Sequence, residues 1–215
     1  MRKAVRADLR IDFLVMANYQ PQDKYFKRAR EQGLPSRAAF KLTELLERYH
    51  LLRPRVRVLD LGCAPGGWLA IIARMVGDDA KVVGIDLVAC PSPSPKVAIL
   101  TGDVSEPAVR RAALDLLKGP ADLIVSDMAP KLSGIKTRDA ARCEELLNLA
   151  LLTAAEMLKP GGAVIAKAFM GEGFTQTVAA FRARFRSVDI VRTNATRPGS
   201  RELYLVARDF RPSAK

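Results

Sequence analysis

From Val56 onward, short apolar runs alternate with longer amphipathic stretches. "VRVLDL" from Val56, "KVVGIDL" from Lys81, "VAIL" from Val97, "ADLIVSDM" from Ala121 and "GAVIAKAF" from Gly162 predict strands. Between them apolar residues recur every three or four positions over 66–76, 107–118 and 139–158, which predicts helices. Phe174, Val178, Phe181 and Phe185 mark one face of a further helix. "SVDIVRT" and "ELYLVAR" follow as strands with no helical pattern between them, so they should pair antiparallel. Upstream, Phe40, Leu42, Leu45, Leu46 and Tyr49 form the apolar stripe of a helix that Ser36 can cap. Strand–helix alternation with apolar strands predicts an α/β fold: a mostly parallel sheet with helices on both faces.

One residue breaks the pattern. Lys167 lies within "GAVIAKAF", between Ala166 and Ala168. Lysine is almost never fully buried unless a partner holds it, so a position inside an apolar strand asks for a function. The turn after the first strand, Gly62-Cys63-Ala64-Pro65-Gly66-Gly67, sits where a doubly wound sheet binds a nucleotide-like ligand. Ala64 replaces the glycine that lets backbone approach a pyrophosphate, and Pro65 removes an amide donor. The loop therefore suits a ligand without a pyrophosphate, such as S-adenosylmethionine, whose amino-acid end would meet Gly62 and Gly66. Asp86 ends the second strand, where a carboxylate can accept both ribose hydroxyls, and Asp103 follows the third, within reach of the adenine amino group. Either acid alone would read as a turn or capping residue. Three features at three successive strand ends point to a cofactor site.

The 215 residues are 49% hydrophobic, and 35 Lys+Arg stand against 23 Asp+Glu, a net charge of +12. That excess favours a polyanionic partner. Residues 1–35 read as a basic arm in which Lys24, Lys27, Arg28 and Arg30 surround Tyr25 and Phe26, a mixture suited to irregular or single-stranded RNA. Cys63, Cys90 and Cys143 have neither metal nor disulfide spacing, and His50 stands alone, so no metal is expected. No apolar run is long enough to span a membrane. The first residues are too charged for a secretory signal, and Asp8 and Asp12 argue against a transit peptide, so the cytoplasm is expected.

"SRAAFKL", "DLGCAPGGW", "SDMAPKLSG", "KAFMGEGF" and "SRELYLVA", in that order from about Asp23 to Arg208, resemble the FtsJ (RrmJ, RlmE) family of 2′-O-ribose RNA methyltransferases. The resemblance implies a Rossmann-like fold with a seven-stranded sheet and a single methyltransferase domain over 36–215 behind the arm. It implies methyl transfer from S-adenosylmethionine, leaving S-adenosylhomocysteine, to a uridine in the A loop of large-subunit ribosomal RNA, on the assembled subunit. The family's catalytic Lys-Asp-Lys-Glu set falls on Lys41, Asp127, Lys167 and Glu202. Its cofactor positions fall on Gly66, Trp68, Asp86, Asp103 and Asp127, with Gly62 and Gly67 in the same loop. Cys63 stands where alanine is more usual and Lys131 where asparagine is common.

A ribose hydroxyl is a weak acid and a poor nucleophile, so the enzyme must align it and help its proton leave. Lys167 would act as a neutral base or as an ammonium that orients the hydroxyl. Asp127 would hold Lys167 and touch the methyl-donor end of the cofactor, and Glu202 would orient Lys41 or the ribose. Other acceptors fit less well. Amino methylation would want an Asn/Asp-Pro-Pro-aromatic stretch where "SDMAP" stands; carbon-five methylation would want a cysteine after the fourth strand. Lys131, Lys136, Arg138 and Arg142 would contact phosphate near the site, with more positive charge from Arg182, Arg184, Arg186, Arg192, Arg197 and Arg201. The alternatives are a transfer-RNA 2′-O-methyltransferase and, from a different class, a non-catalytic RNA-binding ribosome-assembly factor. A monomer is expected.

Overall fold

The computed structural model describes residues 38–130, 133–171, 173–196 and 199–212. The basic arm, the Ser36 cap, Lys131, Arg197 and the side chain of Lys136 lie outside the described residues. The elements run α1 (Ala38–Tyr49), β1 (Arg57–Leu61), α2 (Gly67–Met75), β2 (Lys81–Asp86), β3 (Val97–Thr101), α3 (Pro107–Leu117), β4 (Ala121–Ser126), α4 (Lys136–Met157), β5 (Leu158–Phe169), α5 (Phe174–Arg184), β6 (Phe185–Val191) and β7 (Glu202–Phe210). Seven strands form one sheet in the order β3-β2-β1-β4-β5-β7-β6. β7 is the reversed strand, antiparallel to both β5 and β6. The fold is the expected Rossmann-like α/β architecture.

Strand alternation sends successive side chains to opposite faces. Val58, Val82, Leu123, Val125, Ile165 and Val206 pack with Leu42, Leu45 and Leu46 of α1 and Trp68, Leu69 and Ile72 of α2. Leu59, Val83, Ile85, Ile124, Val164 and Leu205 face Ala113 and Leu117 of α3, Leu147, Ala150 and Ala154 of α4, and Val178 and Phe181 of α5. Burial of these two apolar layers supplies the main drive for folding. Arg110 of α3, itself buried, forms a bidentate pair with Glu156 of α4 at 2.6 and 3.1 Å. Its remaining nitrogen donates to the carbonyls of Val104 and Ser105 at 2.8 and 2.7 Å, which anchors the turn carrying Asp103.

Three boundaries differ from the pattern. α4 begins at Lys136, one turn before Asp139. Asp139 accepts hydrogen bonds from Ser133 N and Oγ at 2.7 Å each and from Gly134 N at 3.1 Å, so it ties the preceding turn down from inside the helix. β5 begins at Leu158, and the Lys159-Pro160-Gly161-Gly162 stretch that reads as punctuation is absorbed as an irregularity where β4 and β5 shift register. Phe185 opens β6 instead of ending α5; its extended backbone (φ −125°, ψ 148°) turns helix directly into strand.

Candidate active site

β1 and β4 are neighbours in the sheet, yet the chain leaves them toward opposite edges, and this switch opens a crevice at the carboxyl ends of the strands. A cavity of about 570 Å³ lies there. Gly62, Ala64, Asp86, Asp103, Asp127 and Met128 are on its wall, with Glu145, Leu146 and Leu149 of α4 closing the side. Gly62 has φ +75°, and a Cβ there would lie 2.7 Å from Met128 Cγ and 3.1 Å from Met128 Cα, so only glycine fits. Ala64 N and Val88 N each donate to the Asp86 carboxylate at 2.9 Å, which ties the glycine loop to the end of β2. Asp103 accepts from Ser105 N at 2.8 Å, and that bond holds its carboxyl below the usual range. Gly66, Gly67 and Trp68 are buried in the loop and the first turn of α2 and do not line the cavity. The Trp68 indole N–H donates to Ala38 O at 2.9 Å, which docks the start of α1.

Asp60 lies buried close to this crevice. It is fully buried, and neither carboxylate oxygen has a hydrogen-bond partner among the described residues. Burial, with Asp127 and Asp86 nearby, pushes its carboxyl well above the ordinary range. The cavity wall thus carries the carboxyl groups of Asp86, Asp103 and Asp127, with Asp60 holding its proton beside them. S-adenosylmethionine carries a sulfonium and an ammonium, so this acidic lining fits it. Among the described residues no group of three His, Cys, Asp or Glu is placed to hold a metal ion.

Beside the cavity, four elements bring Lys41, Asp127, Lys167 and Glu202 together. Lys41 comes from α1, Asp127 follows β4, Lys167 stands near the end of β5 and Glu202 starts β7. Lys167 Nζ lies 2.9 Å from Asp127 Oδ1 and 3.8 Å from Glu202 Oε2. Lys41 Nζ pairs with Glu202 Oε1. Lys41 is 7% exposed, and burial lowers its pKa although Glu202 pulls it upward. Asp127 belongs to both groups, because it lines the cavity and holds Lys167.

A fifth member, Tyr204, was not singled out by sequence. It pairs directly with Lys167 across the β5–β7 ladder. Its hydroxyl lies 3.0 Å from Asp127 Oδ1 and 3.3 Å from Glu202 Oε1. Burial, then the two carboxylates, raises its pKa well above 10.0, so the phenol remains a donor. The signal available was spacing: Glu202 and Tyr204, two apart on one strand, share a face. Cys63 and Cys90, distant in sequence, approach to 3.8 Å between sulfurs. Arg138, Arg182, Arg186, Arg192 and Arg201 are exposed.

Comparisons with known proteins fit this geometry. A ribosomal RNA large subunit methyltransferase E of Hahella chejuensis is 45% identical over 195 residues, covering 90% of this chain and 94% of its own. A protein of the same name from Myxococcus xanthus is 44% identical over 189 residues, covering 87% and 89%. A crystal structure from Plasmodium falciparum, described as a ribosomal RNA methyltransferase, superposes with a TM-score of 0.72 at 30% identity, covering 81% of this chain and 97% of that one. With the FtsJ-like methyltransferase profile matching residues 34–210, which include all four clustered acid and lysine side chains, the chain belongs to the FtsJ-like methyltransferase family.

Proposed function

We propose that this protein methylates a ribose 2′-hydroxyl of large-subunit ribosomal RNA, at a uridine of the A loop, with S-adenosylmethionine as methyl donor. The observation that carries the reading is Asp127, which lines the cofactor cavity and at 2.9 Å holds the lysine buried in β5. When bound, S-adenosylmethionine supplies a methyl group on a sulfonium, already a good leaving group. Asp127 sets Lys167 at the border between the cofactor cavity and the incoming nucleotide. As the oxygen bonds the methyl carbon and the carbon–sulfur bond breaks, Lys167 either takes the hydroxyl proton as a free amine or, as an ammonium, orients the hydroxyl while its proton passes to water, and the Lys41–Glu202 pair fixes the surrounding charges. Tyr204 fixes the spacing of the two carboxylates from behind. The names of the relatives support ribosomal RNA as substrate, and the net charge of +12 supports a polyanionic one. On this reading residues 36–215 act as one methyltransferase domain, the arm over 1–35 adds phosphate contacts, and the protein works in the cytoplasm on the large subunit.

The test is transfer of a labelled methyl group from S-adenosylmethionine to isolated large subunits, free ribosomal RNA and transfer RNA, followed by nuclease digestion to locate the label. Label on a ribose of large-subunit RNA is expected. Label on a base, or on transfer RNA alone, would overturn the assignment.

A further inference from the structure

Cys63 and Cys90 are 27 residues apart in sequence, yet their sulfurs lie 3.8 Å from each other. The reaction proposed above uses neither. Cys63, in the glycine loop, is 3% exposed and firmly held. Its N–H donates to Ile85 O at 3.2 Å, and its carbonyl accepts from Gly66 N at 2.7 Å. Its side chain rests on Gly84 of β2, where an added Cβ would come 2.8 Å from Cys63 Sγ and 3.0 Å from Cys63 Cβ. Cys90 is half-buried in the loop after β2, close to the exposed Leu87 and Val88. Its neighbour Pro91 lies against the glycine loop, since a Cβ on Gly66 would stand 3.8 Å from Pro91 O. Asp86 joins the same two segments, because Ala64 N and Val88 N both donate to its carboxylate. Ala64, Asp86 and Leu87 all line the cofactor cavity. The third cysteine, Cys143, faces a separate cavity on the other side of α4.

We propose that Cys63 and Cys90 are a modification site, a thiol pair that a peroxide oxidises reversibly to a disulfide, and that this disulfide weakens S-adenosylmethionine binding. The second half rests on the cofactor reading of the cavity. A buried cysteine by itself packs as a small hydrophobe and needs no further role. Here a second sulfur stands within contact distance, half open to solvent, so an oxidant has a point of entry and the first product has a partner. Burial, then Asp60 and the Cys90 thiol, pushes the Cys63 thiol up, so Cys63 is the resolving group and Cys90 the one attacked first. Cys90 Sγ bonds one peroxide oxygen as the O–O bond breaks, and its thiol proton leaves with the departing hydroxide as water. Cys63 Sγ then bonds Cys90 Sγ as the S–O bond breaks, and the Cys63 proton leaves with that hydroxide as a second water. Two electrons pass from the thiols to the peroxide. A disulfide needs its sulfurs at about 2.05 Å. Cys63 cannot advance without leaving Gly84 and its backbone bonds, so the loop carrying Cys90 closes the gap. That loop holds the Asp86 carboxylate through Val88 N, and moving it shifts the acid at the cavity wall. In a reducing compartment such bonds are transient and regulatory.

The test treats the reduced full chain with hydrogen peroxide, blocks the remaining thiols by alkylation and maps peptides by mass spectrometry. A Cys63–Cys90 linked peptide within one chain is expected, with Cys143 still alkylated, and dithiothreitol should abolish the link. Calorimetry of the same samples should show S-adenosylmethionine affinity falling by roughly tenfold on oxidation, the worth of one hydrogen bond to a charged acceptor. Dithiothreitol should restore it. Peroxide also oxidises methionines such as Met128 on the cavity wall, but dithiothreitol does not reverse that change. Cys90→Ala should form no link and keep its affinity through the treatment. Cys63→Ala should do the same and serves if Cys90→Ala fails to fold. Cys90 driven to sulfinic or sulfonic acid without a link would overturn the proposal, as would links between chains or to Cys143. A link with unchanged affinity would overturn the effect on the cofactor. Reduced protein that binds no S-adenosylmethionine at all would refute the cofactor reading instead, and the peptide map separates that outcome from failure of the thiol pair.

Discussion

Lys167 and Tyr204 face each other across the β5–β7 ladder, and the carboxylates around them account for a lysine inside an apolar strand. Lys167→Ala should fold and bind S-adenosylmethionine, because the glycine loop, Asp86 and Asp103 are untouched, yet lose methyl transfer by about 10²–10⁴-fold. Lys167→Arg should not rescue it, since guanidinium is bulkier and stays protonated. A single-turnover rate in Lys167→Ala close to wild type would remove the lysine from the reaction. In the wild type, a rate that climbs with pH identifies a free amine as proton acceptor, and one that falls identifies an orienting ammonium. Asp60 gives a second expectation at this scale. Unfolded, it ionises near 3.8; folded, it keeps its proton to much higher pH. Its penalty on stability is therefore absent below the unfolded value and grows as pH rises through the window between the two. Asp60→Leu, similar in shape, should stabilise the ligand-free protein by about 1–3 kcal/mol at pH 8, the cost of an unsatisfied buried group, and by less at pH 4.5. Equal gains at both pH values in urea denaturation would show that Asp60 is ionised or solvated in the fold. Lys167 was legible as an anomaly of polarity; Tyr204 was not, because an aromatic residue in a strand is ordinary until its hydroxyl is seen between two acids.

At the scale of elements, the Asp86 carboxylate joins the end of β2 to the glycine loop through Ala64 N. Asp86→Ala should weaken S-adenosylmethionine binding by about 1.5–3 kcal/mol, because the ribose hydroxyls lose a charged acceptor and the loop loses its tether. Unchanged affinity by calorimetry would take Asp86 out of the site. Elements themselves were legible wherever periodicity was strong, as in α2, β4 and β7. Their ends were less so. The Lys-Pro-Gly-Gly stretch looks like a break, yet β5 carries it as a register irregularity against β4. Asp139 looks like the start of a helix, yet its carboxylate reaches back to Ser133 and Gly134 from the first turn. In the first place pairing with β4 overrides the local signal; in the second, a local turn held by Asp139 does.

For the whole molecule, the net charge of +12 implies binding that weakens steeply with salt, since each neutralised phosphate releases counterions. Replacing Lys24, Lys27, Arg28 and Arg30 with Ala should flatten the dependence of RNA affinity on salt and leave cofactor affinity intact. An unchanged slope in filter binding across salt concentrations would show that the arm does not touch phosphate. No described helix is long and apolar enough to cross a membrane.

The amino-acid sequence by itself determined the α/β class, the order of strands and helices, the glycine loop and the four acid and lysine positions. Each of these is written in local period, turn chemistry or short motif, which neighbours along the chain specify. Tertiary structure alone decided that β7 slots between β5 and β6, because strand order depends on which apolar faces are left to cover. That choice places Glu202 and Tyr204 beside Lys167. It also decided that Asp60, an acid in an apolar strand, lies orphaned beneath the cofactor crevice, that Cys63 and Cys90 meet, and that one helix parts two cavities. These are contacts between residues far apart in sequence, and no local pattern encodes the distance between them.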